Sequence, residues 1–171
     1  MKKQIPINRV NKFFTAEDFQ LENSFLDEYI AGDLNMSVIL YRVNRSLTKT
    51  DSIYGETVKD GIIYYPPIEI KCVVDFLEPE NKSYNADGSL RYQQDGDISL
   101  TILDQHLNNL KVDIIYGDYI GYSVNETTIR YFSVVDDGKK NYNNSNTILG
   151  YKAAYRIVLC APVDRDEFRG L

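Results

Sequence analysis

Ile68-Glu69-Ile70-Lys71-Cys72-Val73-Val74-Asp75-Phe76 is the stretch that decides the fold. Ile68, Ile70, Cys72, Val74 and Phe76 recur every second residue, and Glu69, Lys71 and Asp75 fall between them. A period of two places the apolar set on one buried face of a strand. Pro66-Pro67, just upstream, can give no N–H to a ladder at two consecutive positions, which marks an edge or a break between strands.

The same β-branched and aromatic character extends in both directions. Upstream it predicts strands over 37–43 and 62–65; downstream it predicts them over 97–103, 113–116, 118–123, 128–135 and 150–160. Gly117-Asp118 and Asn125-Glu126 are the expected corners, and a short helix or turn is expected over 105–110. Many short strands separated by Gly, Asn and Asp define a mainly β (α+β) chain, either a barrel or a sandwich.

One helix is expected ahead of the strands, over 16–31. Thr15 is its N-cap, Asp18 completes a capping box, and acids in the first turn suit the positive end of the helix dipole. Phe19, Glu22, Phe25, Leu26 and Tyr29 follow at near-helical spacing, a mostly apolar stripe expected to pack on the sheet, and Gly32 stands where a left-handed C-terminal residue is wanted. Residues 1–34 therefore read as an exposed arm and an amphipathic helix, and residues 35–171 as the β-rich domain. Two long polar stretches, 80–96 and 136–146, are of a length that usually binds something or orders only on assembly.

Composition narrows the function classes. Among 171 residues, 19 Lys and Arg stand against 25 Asp and Glu, so a net charge of -6 works against gripping nucleic acid through its phosphates. No stretch approaches the roughly 20 apolar residues of a membrane span, and Gln4, Asn8 and Arg9 follow Lys2-Lys3 where a signal peptide would be apolar. Cys72 and Cys160 lie far apart in apolar runs, which suits buried thiols in a reducing cytoplasm better than a zinc site or a disulfide framework.

Catalytic chemistry finds little to use. His106 is the sole histidine, it falls in a polar turn, and no nucleophile-elbow motif accompanies it. Asp95, Asp97, Asp136 and Asp137 lie beside glycines, where Asp serves turn geometry; a calcium reading lacks the twelve-residue EF-hand spacing. A carboxylate-pair hydrolase is not excluded by composition alone. Fourteen tyrosines without a tryptophan fit a protein interface, a sugar-binding face or strand propensity alike. We therefore expect no enzyme, and no catalytic, cofactor or metal-binding residues. The candidate subunit-interface residues are Tyr84, Arg91, Tyr92, Lys139, Lys140 and Tyr142 in the two polar stretches, with Arg165 and Phe168 in the charged tail.

Four short signatures occur in order: Tyr41-Arg42-Val43-Asn44-Arg45; Asp51 with Gly55-Glu56; Gly117-Asp118-Tyr119-Ile120-Gly121-Tyr122; and Tyr151-Lys152 leading through Tyr155-Arg156 to Cys160. Behind an acidic helix spanning 19–32, this order resembles the neck proteins that join head to tail in contractile-tailed bacteriophages of the T4 type. Asn44 stands where that pattern often carries proline.

The resemblance implies a structural virion protein, assembled in the host cytoplasm. It would form a homo-oligomeric ring between a portal or adaptor protein and the tail-terminator or tail proteins, with DNA passing through its channel unbound. It implies no cofactor and no membrane partner. The net acidity adds the expectation of a bore that repels the duplex. A Tyr-rich carbohydrate-binding β module of a virion or surface protein is the alternative.

Overall fold

The computed structural model describes residues 15–48, 61–77, 82–83, 90–91, 96–125, 128–139 and 154–163. The chain is mainly β with an N-terminal helical segment. Helix α1 (Ala16–Glu28) leads through a π-helical turn (Tyr29–Leu34) into β1 (Ser37–Tyr41), β2 (Ile68–Lys71), β3 (Val73–Phe76), β4 (Lys82–Ser83), β5 (Leu90–Arg91) and β6 (Ile98–Leu103). Helix α2 (Asp104–Leu110) then precedes β7 (Tyr119–Asn125), β8 (Thr128–Asp136) and β9 (Tyr155–Pro162).

Seven strands form one antiparallel sheet in the order β2-β1-β7-β8-β9-β6-β3, and β4 pairs with β5 in a separate hairpin inside the stretch expected to be loop. The deciding stretch 68–76 is thus two strands, not one. β2 pairs with β1, β3 pairs with β6, and Cys72 alone separates them, its N–H donating to the Met36 carbonyl (3.1 Å). The strand order therefore begins and ends in a single chain segment. Two Cα atoms flanking one residue can be no more than about 7 Å apart, so the outermost strands meet at Cys72.

The expected alternation holds at Ile70, Cys72 and Val74, but Ile68 is only half-buried and Phe76, expected on the same buried face, is 56% exposed at the end of β3. Ile70, Cys72 and Val74 are buried with Val38 and Leu40 of β1, Ile98, Leu100 and Ile102 of β6, Ile120 of β7, Phe132 and Val134 of β8, and Val158 and Cys160 of β9. Phe76 of β3 meets Tyr122 of β7 edge to face, ring centroids 5.3 Å apart, although three strands lie between them in the sheet order. At the opposite end, α2 packs against β2, β6 and β9 and sends Leu107 into the core, followed by Val112 and Ile114. Each such buried side chain contributes roughly 1.5–3 kcal/mol.

Several expectations need correction. α1 starts as predicted, with Thr15 accepting from the Asp18 N–H and the Asp18 carboxylate accepting from the Thr15 N–H (2.6 Å). It ends at Glu28, and the left-handed residue after the π-helical turn is Asn35 (φ 45°, ψ 34°), not Gly32. Asn tolerates that region, and here its Oδ1 accepts from Lys71 Nζ (2.7 Å). The apolar stripe does not pack on the sheet as a unit. Phe19 and Leu26 are half-buried beside buried Asn23 and Ile30, whereas Leu21, Phe25 and Tyr29 face outward at 53%, 55% and 51% exposure.

The predicted strand over 62–65 is a single bridge, Val43 to Tyr64, because Pro66-Pro67 ends the pairing. The predicted strand over 113–116 is a loop. Ile115 N–H donates to the Asp118 carboxylate and Asp118 N–H donates to the Ile115 carbonyl, closing a turn that leaves no ladder. Of the last predicted strand, residues from Tyr155 onward form β9, and 150–153 lie outside the described residues.

Candidate functional site

Two of the four signatures meet in space, and Asp118 joins them. Its carboxylate accepts from the N–H of Val43 (3.0 Å) and of Ile115 (3.0 Å), while its backbone exchanges with Ile115 and Val134. Gly117, at φ +86°, makes the corner and donates its own N–H to the Val134 carbonyl (2.9 Å). Asp118 is only 3% exposed. Burial pushes its carboxyl above the ordinary value, against the opposing pull of the two N–H bonds and of the Arg45 and Arg42 charges.

The rest of the first signature is equally committed. Buried Asn44 accepts at Oδ1 from Ser46 Oγ (2.6 Å) and from the N–H groups of Ser46 and Leu47, the local bonding that suits Asn to turns. Its own N–H donates to the Ile63 carbonyl (2.7 Å), a bond that proline at this position could not make. Arg45 Nη2 donates to the Tyr116 carbonyl (2.6 Å), and the Arg42 guanidinium lies 4.9 Å from the centre of the Tyr65 ring. These bonds gather Leu47, Ile63, Tyr65 and Tyr116 around the two arginines, with exposures of 59%, 42%, 41% and 64%.

On the face of β1 and β7 opposite the main core lies a second small core. Tyr41 and Tyr119 are buried there with Val43, Tyr64 and Tyr131 packed against them. The rings meet edge to face, with Tyr41 at 6.4 Å from Tyr64 and 5.9 Å from Tyr131, and Tyr64 at 5.9 Å from Tyr119. Gly121 admits the Tyr41 ring: a Cβ there would sit 3.0 Å from it.

A second charged junction lies where β9 begins. Arg156 donates through Nε to Asp104 (2.7 Å) and through Nη1 to Asp113 (3.0 Å), and Lys139 Nζ pairs with the other Asp113 oxygen. Burial raises the Asp113 carboxyl, but the hydrogen bonds and charges of Lys139 and Arg156 outweigh it and hold the group below its ordinary value. Asp136 and Asp137 accept from the N–H groups of Gly138 (2.9 Å) and Lys139 (3.0 Å), which is the turn role expected of them. The arrangement binds one loop to another; Asp104 and Asp113 converge on a guanidinium, not on an open cleft.

His106 sits on α2 and accepts at Nε2 from the Lys71 N–H (3.3 Å), so it closes the edge of β2. Both cysteines are free and buried, and burial pushes each thiol up to about 12. Among the described residues no group of three or more His, Cys, Asp and Glu could hold a metal ion, and no helix is long and apolar enough to cross a membrane. Of the expected interface residues, Lys139 is the one whose side chain is placed, in the pair with Asp113. Arg91 is placed only by its backbone, in β5; Tyr84, Tyr92, Lys140, Tyr142, Arg165 and Phe168 lie outside the described residues, as do Asp51, Gly55 and Glu56.

Sequence reasoning missed the face formed by Leu47, Ile63, Tyr65 and Tyr116. Its advance signal was local: Leu47 follows Arg45 by two residues, and Ile63 and Tyr65 stand just ahead of Pro66-Pro67. Comparisons with protein-family models, with curated proteins and with solved structures find no match.

Proposed function

We propose that this chain is a structural subunit of a homo-oligomeric ring, of the kind that forms the neck between head and tail of a contractile-tailed bacteriophage. In this reading the sheet is a barrel closed at Cys72, a rigid block completed by neighbouring copies. The observation that carries it is the exposure of large apolar side chains: Leu21, Phe25, Tyr29, Leu47 and Tyr116 each present more than half of their surface to solvent. Large apolar side chains exposed in groups, here on two separate elements, are the kind of surface that marks an interaction site. The signature residues add support, because Asp118, Asn44 and Arg45 are engaged in holding chain to chain and offer no reactive group.

The ring would stand between a portal or adaptor and the tail proteins, with an acidic bore through which DNA slides. A carbohydrate site draws no support from the described tyrosine cluster, since Tyr41, Tyr64, Tyr119 and Tyr131 meet edge to face and two of them are buried, leaving no flat exposed platform.

Sedimentation velocity over a concentration series, with electron microscopy of the associated fraction, tests the proposal. Closed rings of one stoichiometry are expected. A chain that stays monomeric throughout, or that turns over a small molecule, overturns it.

A further inference from the structure

The molecule carries two exposed apolar surfaces of opposite charge, on different elements. The first is the outer stripe of α1. Leu21, Phe25 and Tyr29 are spaced by four and share one side of the helix, and Glu22 and Glu28 lie roughly 60° to either side of Phe25 at about 100° per residue. Residues 16–34 hold six carboxylates, those of Glu17, Asp18, Glu22, Asp27, Glu28 and Asp33, and no Lys, Arg or His. On the opposite side of this helical segment Asn23 of α1 and Ile30 of the π-helical turn are buried. The helix therefore turns a complete apolar stripe outward, inside an acidic frame.

The second surface is the face above the Asp118 junction. Leu47, Ile63, Tyr65 and Tyr116 are exposed there around Arg42 and Arg45. Among the described residues, the acid at this junction, Asp118, is buried and occupied by two backbone N–H groups, so the charge those residues offer outward is that of Arg42 and Arg45.

We propose that the two surfaces are partners between copies: α1 of one subunit lays Leu21, Phe25 and Tyr29 on the Leu47, Ile63, Tyr65 and Tyr116 face of the next, with Glu22 and Glu28 meeting Arg42 and Arg45. The inference rests on the ring reading and specifies its contact. Because the two surfaces differ, the contact is head to tail, and such contacts close into rings when the rotation per subunit permits. The apolar stripe supplies burial, and the framing charges set orientation and make assembly sensitive to salt.

The test uses the full chain with two substitutions at exposed positions, Phe25→Ser on the helix and Leu47→Asp on the face. Each alone is expected to weaken self-association by roughly tenfold to a hundredfold, as the loss of one buried large apolar side chain implies, with an unchanged thermal melt. Mixing the two variants is the decisive arm. Each retains one intact surface, so the mixture is expected to give a one-to-one dimer that grows no further, and raised salt is expected to dissociate it. Rings that persist in both variants, or a mixture that stays monomeric while the wild type assembles, overturn this contact and leave the ring reading standing. A wild-type chain that never associates overturns both.

Discussion

Asp118 and Asp113 belong to the same turn-rich connection between α2 and β7, yet they do opposite work. Asp118 is 3% exposed, and its hydrogen-bond donors are backbone N–H groups. The Asp113 side chain is 48% exposed, and its donors are the cations of Arg156 and Lys139. Burial raises the first carboxyl; paired charge lowers the second, overcoming a smaller burial. A buried acceptor that closes backbone donors is a structural fastener whose removal strands those donors, whereas a half-exposed ion pair is screened by solvent and holds weakly.

The largest expected effect follows from that difference. Asp118→Ala leaves the N–H groups of Val43 and Ile115 without their acceptor, at a cost of about 4 kcal/mol, to be read from chemical denaturation. A loss no greater than that of Asp113→Ala, for which about 1 kcal/mol is expected, would erase the contrast. Between them falls Gly138→Ala, beside Lys139. Gly138 has φ +70°, and a Cβ would lie 2.4 Å from the Ile157 carbonyl oxygen, so about 3 kcal/mol is expected from strain and overlap together.

The pH dependence sharpens the comparison further, since the two carboxyls shift in opposite senses from 3.8. Asp113 has a lowered folded value: its stabilisation is complete above the unfolded value and is lost as pH falls through the folded one. Asp118 has a raised folded value: its contribution is fullest below the unfolded value and is lost as pH rises through the folded one. Melting temperature against acid pH should therefore lose a rising limb in Asp113→Asn and a falling limb in Asp118→Asn. Parallel changes in both variants would contradict the assignment. The smallest effect concerns the core between the junctions. With both thiols pushed up to about 12, Cys72 and Cys160 should resist alkylation at neutral pH in the folded chain and react only on unfolding; rapid labelling of native protein would place one of them at the surface.

Much of the fold was legible because burial writes a period. β1, β6, β7 and β8 were readable from their β-branched and aromatic residues, the buried positions of 68–76 from alternation, and Thr15 with Asp18 marks the start of α1 by a bonding pattern local to four residues. What failed were features that local pattern does not encode. The break at Cys72 leaves the alternation intact, so nothing in the sequence tells that Ile70 and Val74 belong to opposite ends of the strand order. Residues 113–116 are apolar enough for a strand, but Asp118 captures the N–H of Ile115.

The candidate sites divide the same way. Asp136, Asp137 and the Gly117-Asp118 corner were readable as turns from composition. The convergence of the first and third signatures was not, because Val43 and Asp118 are 75 residues apart. The Arg156 network joins β9, α2 and two loops, and single charges carry no mark of their distant partners. The stripe on α1 was visible as a period, but its direction was not, since Phe19 and Leu26 offer a second apolar side.

The break at Cys72 also leaves its mark on the two ends of the strand order. The two outermost strands, β2 and β3, are four residues each; Pro66-Pro67 precede the first, and His106 occupies the Lys71 N–H. Edges so short and so obstructed are poor templates for an added strand, the route by which many β proteins recruit peptides or aggregate. Among the described residues, whatever approaches these two edges of the seven-stranded sheet therefore meets side chains before it meets a free backbone ladder.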